Sequence, residues 1–266
     1  MPNLEFSDPV HLGVFVIFGL LLIASVIVAS MRRGDTEDKY KELSDRVKSW
    51  WFMIAVFSLA ILTSPVVSVF FFGLISFLAF KEYISIIPLR QADRRVLFWA
   101  YLAIPIQYWL VRIEWYGMFI VFIPVWVFFL LPFRFIIAGQ TEGFLKSVTA
   151  ISWGLMITVF AISHAAMLMR FPATVEHMAG GVGLILFMAI LNQGNDLAQY
   201  VWGKLFGKHK IVPKVSPKKT WEGFIGGALT TTLAAAALAP FLTPFSLTFS
   251  LFAGAMIACT GFIGDV

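Results

Sequence analysis

The chain has 266 residues, of which 59% are hydrophobic and 13% are charged, and its formal net charge is +5. Its mean hydropathy is +0.86, far above that of soluble proteins, and the apolar residues occur in long uninterrupted runs. This composition excludes an ordinary soluble domain and predicts an all-α, polytopic integral membrane protein. The single cysteine, Cys259, excludes a disulfide framework, and the scattered histidines argue against a zinc site.

A membrane-crossing helix needs about 20 consecutive apolar residues. Candidate runs lie at 10–30, 96–112, 115–132, 147–169, 179–201, 223–241 and 247–264. A further apolar stretch, 51–80, is broken at Ser64-Pro65. Because proline disfavours helical backbone at the residue before it, this stretch predicts a hairpin of two short helices, 51–63 and 66–80. The chain is thus predicted to fold as about nine helical segments in one integral membrane domain, residues 1–266.

The charges beside these runs predict the orientation. Glu5 and Asp8 precede the run 10–30, where a signal peptide would carry basic residues, so 10–30 is predicted to be a retained anchor helix. Basic residues concentrate in the segments 31–49, 81–95 and 202–222. The positive-inside rule places these three segments in the cytoplasm and the N-terminus outside.

The segment 194–227 is the most polar part of the second half of the chain, and it separates strongly apolar runs. Its lysines are Lys204, Lys208, Lys210, Lys214, Lys218 and Lys219. Ser216 and Thr220 add hydroxyls, and Asp196 and Glu222 are its acids. Ammonium groups and hydroxyls contact phosphate oxygens, and a carboxylate can hold a divalent cation. The segment therefore predicts a polyphosphate site.

Two carboxylates lie at similar positions on predicted spans. Asp196 interrupts the span 179–201 near its cytoplasmic end, and Asp265 ends the span 247–264. Ionisable groups at membrane depth are costly and usually face a partner or a water-filled cavity, so the two carboxylates could share a divalent cation. The alternative is that both are helix-end residues in the interface, and for Asp265 the two interpretations stand about equal.

Several motifs together resemble one known family. They are ND at 195–196, AQY at 198–200, WGKLFGK at 202–208, SPKKTWEGFIGG at 216–227 and GD at 264–265. This set resembles the phosphatidate cytidylyltransferases, or CDP-diacylglycerol synthases, and is most similar to an enterobacterial paralogue group within them. The resemblance implies a nucleotidyltransferase of phospholipid biosynthesis. It condenses CTP with phosphatidate to CDP-diacylglycerol and pyrophosphate, requires Mg²⁺, and lies in the bacterial inner membrane with a cytoplasmic active site.

The resemblance also implies roles for individual residues. Asp196, Lys219 and Asp265 are the predicted catalytic residues, and Asp196 and Asp265 the predicted Mg²⁺ ligands. The predicted contacts to the CTP phosphates are Lys204, Lys208, Ser216, Lys218, Lys219 and Thr220. The predicted partners are CTP, phosphatidate and the bilayer, with no nucleic acid, and a homodimer stays open.

Each motif also has a structural interpretation. Lysines beside a membrane span commonly set topology and contact anionic lipids. Ser216-Pro217 is typical of a helix start, with Ser216 as the N-cap. Gly226-Gly227 more often marks helix packing, and His164 a packed, hydrogen-bonded helix residue.

Two other classes of protein are alternatives to an enzyme. A transporter would be expected to show inverted repeats, and the sequence has no convincing internal repeat. A non-catalytic membrane scaffold is the stronger alternative, because the C-terminal signature of the cytidylyltransferases would fall beyond Val266. We therefore expect a fragment or a truncated paralogue.

Overall fold

The structure, a computed structural model, describes residues 9–32, 41–88, 94–137, 139, 143–172 and 179–266. In chain order its helices and strands are α1 (Pro9–Arg32), α2 (Lys41–Thr63), α3 (Pro65–Ile86), α4 (Arg94–Arg112), α5 (Tyr116–Val121), α6 (Phe128–Ile137), α7 (Phe144–Leu155), α8 (Ala161–Leu168), α9 (Gly180–Phe206), β1 (Lys210–Val212), β2 (Ser216–Thr220), α10 (Trp221–Leu242) and α11 (Leu247–Asp265). Single π-helical turns, Phe122–Val127 and Met156–Phe160, join α5 to α6 and α7 to α8.

The predicted fold class is confirmed. In the described part of the chain, six helical stretches are long and apolar enough to cross a membrane. They are Gly13–Ser30, Pro65–Ile86, Tyr116–Ile137, Phe144–Leu168, Trp221–Leu242 and Leu247–Asp265. The protein is therefore a multi-pass membrane protein. Helix α9 stands outside this set, because the polar residues Asn192, Asn195 and Asp196 interrupt its apolar run.

The break in the early hairpin falls where the sequence predicts it. Helix α2 ends at Thr63, and α3 begins at Pro65 with Ser64 as its N-cap, whose Oγ accepts a hydrogen bond from the Val67 amide at 3.3 Å. The Ser68 hydroxyl donates to the Ala60 carbonyl at 2.8 Å, which ties the two helices together. Helix α2 begins ten residues before its predicted start, α3 ends six residues after its predicted end, and α3 is long enough to cross a bilayer alone.

The chain divides into two compact units. The terminal unit comprises Met1–Trp51 and Phe171–Val266, and the central unit comprises Phe52–Arg170. One integral membrane domain over residues 1–266 stays a prediction.

The central unit has an apolar core with a few buried polar contacts. Phe80, Phe119 and Phe135 lie fully buried in it. Buried Gln107 donates to the Ser163 hydroxyl at 3.1 Å, one of the interhelical hydrogen bonds that stabilise helix contacts in lipid. His164 Nδ1 lies 2.8 Å from the Phe160 carbonyl oxygen, which confirms its interpretation as a packed helix residue.

Close helix packing in the terminal unit depends on glycines of α10. A Cβ added at Gly226 would overlap the Trp202 ring of α9, and one added at Gly227 would overlap the Gln199 side chain. The Trp202 indole N–H also donates to the Thr230 hydroxyl at 3.0 Å. The interpretation of Gly226-Gly227 as a helix-packing motif is confirmed.

This packing gives a stability prediction. The substitution Gly227→Val is expected to lower the melting temperature of the detergent-solubilised protein by several degrees, because the new side chain forces α9 and α10 apart and overpacking costs about 1–3 kcal/mol. The control Gly19→Val, on α1, places its Cβ in open space and should leave the melting curve unchanged. A melting temperature equal in both variants would contradict the close α9–α10 contact.

Candidate active site

A small β-hairpin precedes α10, and the sequence did not predict it. Strands β1 and β2 pair antiparallel, with Lys210 opposite Thr220 and Val212 opposite Ser216. The prediction of Ser216 as an N-cap with Pro217 at the first helical position is wrong. Thr220 is the N-cap instead, with extended backbone (φ −128°, ψ 153°) and a hydroxyl oxygen that accepts from the Gly223 amide at 3.2 Å. The β-branched threonine suits the end of a strand, and Ser216 is held by strand pairing.

Glu222 makes hydrogen bonds to the residues that precede this hairpin. Its carboxylate accepts hydrogen bonds from the backbone amides of Lys208 at 3.0 Å and His209 at 3.2 Å. The His209 ring contacts the same carboxylate, with Nδ1 2.6 Å from Oε1, and the Trp221 amide donates to the His209 carbonyl at 2.9 Å. The first turn of α10 therefore anchors the chain as it enters β1. Glu222 is visible in the sequence as an acid, but no sequence pattern predicts this anchoring role.

We expect Glu222→Ala to loosen the hairpin. The substitution leaves the Lys208 and His209 amides without their carboxylate acceptor, so amide hydrogen exchange over 208–220 should rise. Glu82→Ala, which removes an exposed carboxylate on α3, should leave that exchange unchanged. Equal exchange over 208–220 in the two variants would show that Glu222 does not hold the hairpin.

The structure brings together the three predicted catalytic residues. Lys219, on β2, forms an ion pair with Asp265 at the end of α11, and its ammonium lies 5.5 Å from the centre of the Phe262 ring. Asp196, half-buried on α9, lies close enough to both for their charges to act on its carboxylate. The Lys219 side chain is 20% exposed and that of Asp265 is 54% exposed, so the cluster opens to its surroundings on the Asp265 side.

The buried side chain of Asn195, next to Asp196 on α9, makes hydrogen bonds to two neighbouring helices. Asn195 is fully buried, accepts a hydrogen bond from the Thr231 hydroxyl of α10 at 3.2 Å and donates to the Ala258 carbonyl of α11 at 3.4 Å. This one side chain links α9 and α11, which carry Asp196 and Asp265, to α10, which directly follows the strand that carries Lys219. The sequence placed Asn195 beside Asp196 but carried no sign of these cross-helix bonds.

The other predicted phosphate contacts lie differently. Lys204, Lys208 and Lys218 have exposed side chains, and Lys204 lies over the Tyr200 ring at 5.8 Å. Ser216 is half-buried, while Thr220 is buried in its capping position. Their phosphate contacts stay predictions.

The carboxylates of the cluster suit Mg²⁺. No group of three or more His, Cys, Asp or Glu side chains that could hold a metal occurs among the described residues. Magnesium does not need such a cage, because it typically binds one or two carboxylates together with water and substrate phosphates. Asp196 and Asp265 could supply such a pair, and their role as Mg²⁺ ligands stays a prediction.

The chain is similar to proteins of one known family. The profile of the cytidylyltransferase family matches residues 44–266. The chain belongs to the cytidylyltransferase family. It is 40% identical over 250 residues to YnbB, an uncharacterized protein of Escherichia coli (strain K12), and the match covers 94% of this chain and 82% of that protein. No solved structure matches the chain.

Shorter matches connect this cytidylyltransferase-family chain to proteins named phosphatidate cytidylyltransferase. It is 36% identical over 85 residues to the phosphatidate cytidylyltransferase of Mycobacterium leprae, covering 32% of this chain and 27% of that enzyme. It is 47% identical over 55 residues to the phosphatidate cytidylyltransferase of Haemophilus influenzae, covering 21% of this chain and 19% of that enzyme. Each match thus spans less than a third of the enzyme concerned.

Proposed function

We propose that the protein is a phosphatidate cytidylyltransferase, which condenses CTP with phosphatidate to give CDP-diacylglycerol and pyrophosphate. The observation that carries the proposal is the cluster of Asp196 on α9, Lys219 on β2 and Asp265 at the end of α11, in a membrane protein of the cytidylyltransferase family. The phosphatidate cytidylyltransferases among its relatives support the choice of substrates.

The reaction asks the protein mainly for positioning and charge. A phosphate oxygen of phosphatidate attacks the α-phosphorus of CTP. The bond from that phosphorus to the bridging oxygen breaks, and pyrophosphate leaves with the electron pair. Lys219 places a positive charge at the open side of the cluster, where a triphosphate can exchange for the Asp265 carboxylate as its partner.

Asp196 and Asp265 would hold Mg²⁺ in this site. The ion would supply charge neutralisation for the triphosphate and for the departing pyrophosphate. Asn195 links α9, α10 and α11, so Asp196 and Asp265 keep their relative positions while substrates bind.

The basic segment 202–222 favours a cytoplasmic site, where CTP is available. The bacterial relatives favour the inner membrane as its location.

The experiment is a nucleotide panel. The purified protein in detergent, given Mg²⁺ and phosphatidate, should release pyrophosphate with CTP and need both substrates. A non-catalytic scaffold would release none. Release that depends on ATP in place of CTP would overturn the assignment.

A further inference from the structure

The terminal unit contains a crevice between the last turns of α1 and the first turns of α2. Its volume is about 450 Å³, and its lining includes Val28, Ala29, Ser44, Val47, Lys48 and Trp51. None of these residues belongs to the Asp196–Lys219–Asp265 cluster.

The crevice lies across the boundary between polar and apolar parts of α2. The apolar part of this helix is Val47–Thr63, and the turns before it are charged. Lys48 lines the crevice at this boundary, while Val28 and Trp51 line its apolar part. A pocket with a cation at one end and hydrocarbon walls matches the two ends of a phospholipid.

The apolar wall is fixed by contacts inside the protein. The Trp51 indole N–H donates to the Ser25 hydroxyl at 2.8 Å, and that hydroxyl donates to the Leu21 carbonyl at 2.7 Å. The Trp51 ring also lies 5.7 Å from the ring of Phe18. Because the indole N–H is already bonded, this wall offers hydrocarbon surface rather than a polar contact.

The cation at the rim can be shared with a ligand. Lys48 pairs with Asp45 at 3.2 Å, but their side chains are 69% and 58% exposed. Exposed pairs of this kind are weak, so a phosphate can compete for the ammonium.

The depth of the crevice also fits a lipid headgroup. A Cβ at Gly13 of α1 would lie 3.1 Å from the Leu186 side chain of α9. Ser25 follows Gly13 by about 18 Å of helix and Asp196 follows Leu186 by about 15 Å, at 1.5 Å per residue. In the predicted orientation both helices run toward the cytoplasm, which puts the crevice near the depth of the active site.

We propose that this crevice binds an anionic glycerophospholipid, with its phosphate at Lys48 and an acyl chain along Val28 and Trp51. The site does not depend on the proposed enzymatic activity. Its ligand chemistry is a phosphate headgroup on a diacylglycerol, which phosphatidate and phosphatidylglycerol share.

The test is photo-crosslinking of the purified full chain with phosphatidylglycerol that carries a diazirine on its acyl chain, followed by peptide mass spectrometry. Label is expected on 25–51. Ala29→Trp adds bulk at an exposed position of the lining and should remove most of that label. Lys48→Ala should weaken competition by unlabelled phosphatidylglycerol about fivefold, the worth of one basic residue at a lipid surface. Lys146→Ala, which removes an exposed lysine of α7, is the matched control.

Competing lipids separate the outcomes. Preferential competition by phosphatidylglycerol or phosphatidate over phosphatidylcholine supports the site, and stronger competition by phosphatidate would mark it as a holding site for the substrate. Equal competition by phosphatidylcholine would overturn the phosphate contact. Label on 25–51 that persists in Ala29→Trp would overturn the crevice as the binding place. Lipid binding and pyrophosphate release are separate readouts, so either proposal can fail alone.

Discussion

Asp196→Asn is expected to abolish cytidylyl transfer while leaving the protein folded. The amide keeps the size of the side chain but removes the charge that would hold Mg²⁺ beside the triphosphate. Loss of one electrostatic group from such a site typically costs a factor of about 10² to 10³ in rate. The measurement is pyrophosphate release at saturating CTP and phosphatidate, with the melting temperature recorded for the same sample.

Two comparisons make this result specific. Glu82→Gln makes the same carboxylate-to-amide change at an exposed position of α3 and should keep the parent rate. Raising the Mg²⁺ concentration should restore part of the activity of Asp196→Asn. Near-normal turnover of Asp196→Asn at ordinary Mg²⁺ would remove Asp196 from the metal site.

Lys219→Ala is expected to have the second-largest effect, chiefly through a higher KM for CTP. The substitution removes the cation that faces Asp265 and leaves two carboxylates to repel the triphosphate. We expect kcat/KM for CTP to fall by about two orders of magnitude. Lys219→Arg, which keeps the charge, should recover part of the loss.

A neighbouring lysine provides the control for charge alone. Lys214→Ala removes an exposed lysine from the turn of the same hairpin and should change kcat/KM by less than about threefold. Losses of equal size in Lys214→Ala and Lys219→Ala would mean that the hairpin acts through its total charge. The Lys219–Asp265 pair would then have no particular part in CTP binding.

Much of the helical layout could be predicted from the sequence, because a membrane span requires a long apolar run and proline limits helix boundaries. The break at Ser64-Pro65 is an example. The extra length of α2 and α3 escaped prediction, because their ends are polar and an apolar run marks only the part of a helix that lies in lipid. The charged turn that starts α2 illustrates this limit.

The residues of the candidate site could be predicted from the sequence, but their positions relative to one another could not. Asp196 stands out because acids are rare in apolar spans, and Lys219 and Asp265 were predicted through the motifs that the chain shares with the cytidylyltransferases. The β-hairpin did not stand out, because β2 reads SPKKT, which has neither apolar alternation nor strong strand propensity. Its position depends on the distant contacts of Glu222, and the partners of Asn195 likewise come from helices far along the chain. Such contacts leave no local pattern in a single sequence.

The most direct test of cytidylyl transfer follows labelled phosphorus from CTP into lipid. The purified protein is supplied with Mg²⁺, phosphatidate and CTP labelled on either the α- or the γ-phosphate. Attack on the α-phosphorus predicts that the α-label appears in a lipid with the mass of CDP-diacylglycerol, and that the γ-label leaves as pyrophosphate. Transfer of the γ-label to lipid, or of neither label under conditions where the protein stays folded, would contradict a cytidylyl-transfer site at Asp196, Lys219 and Asp265.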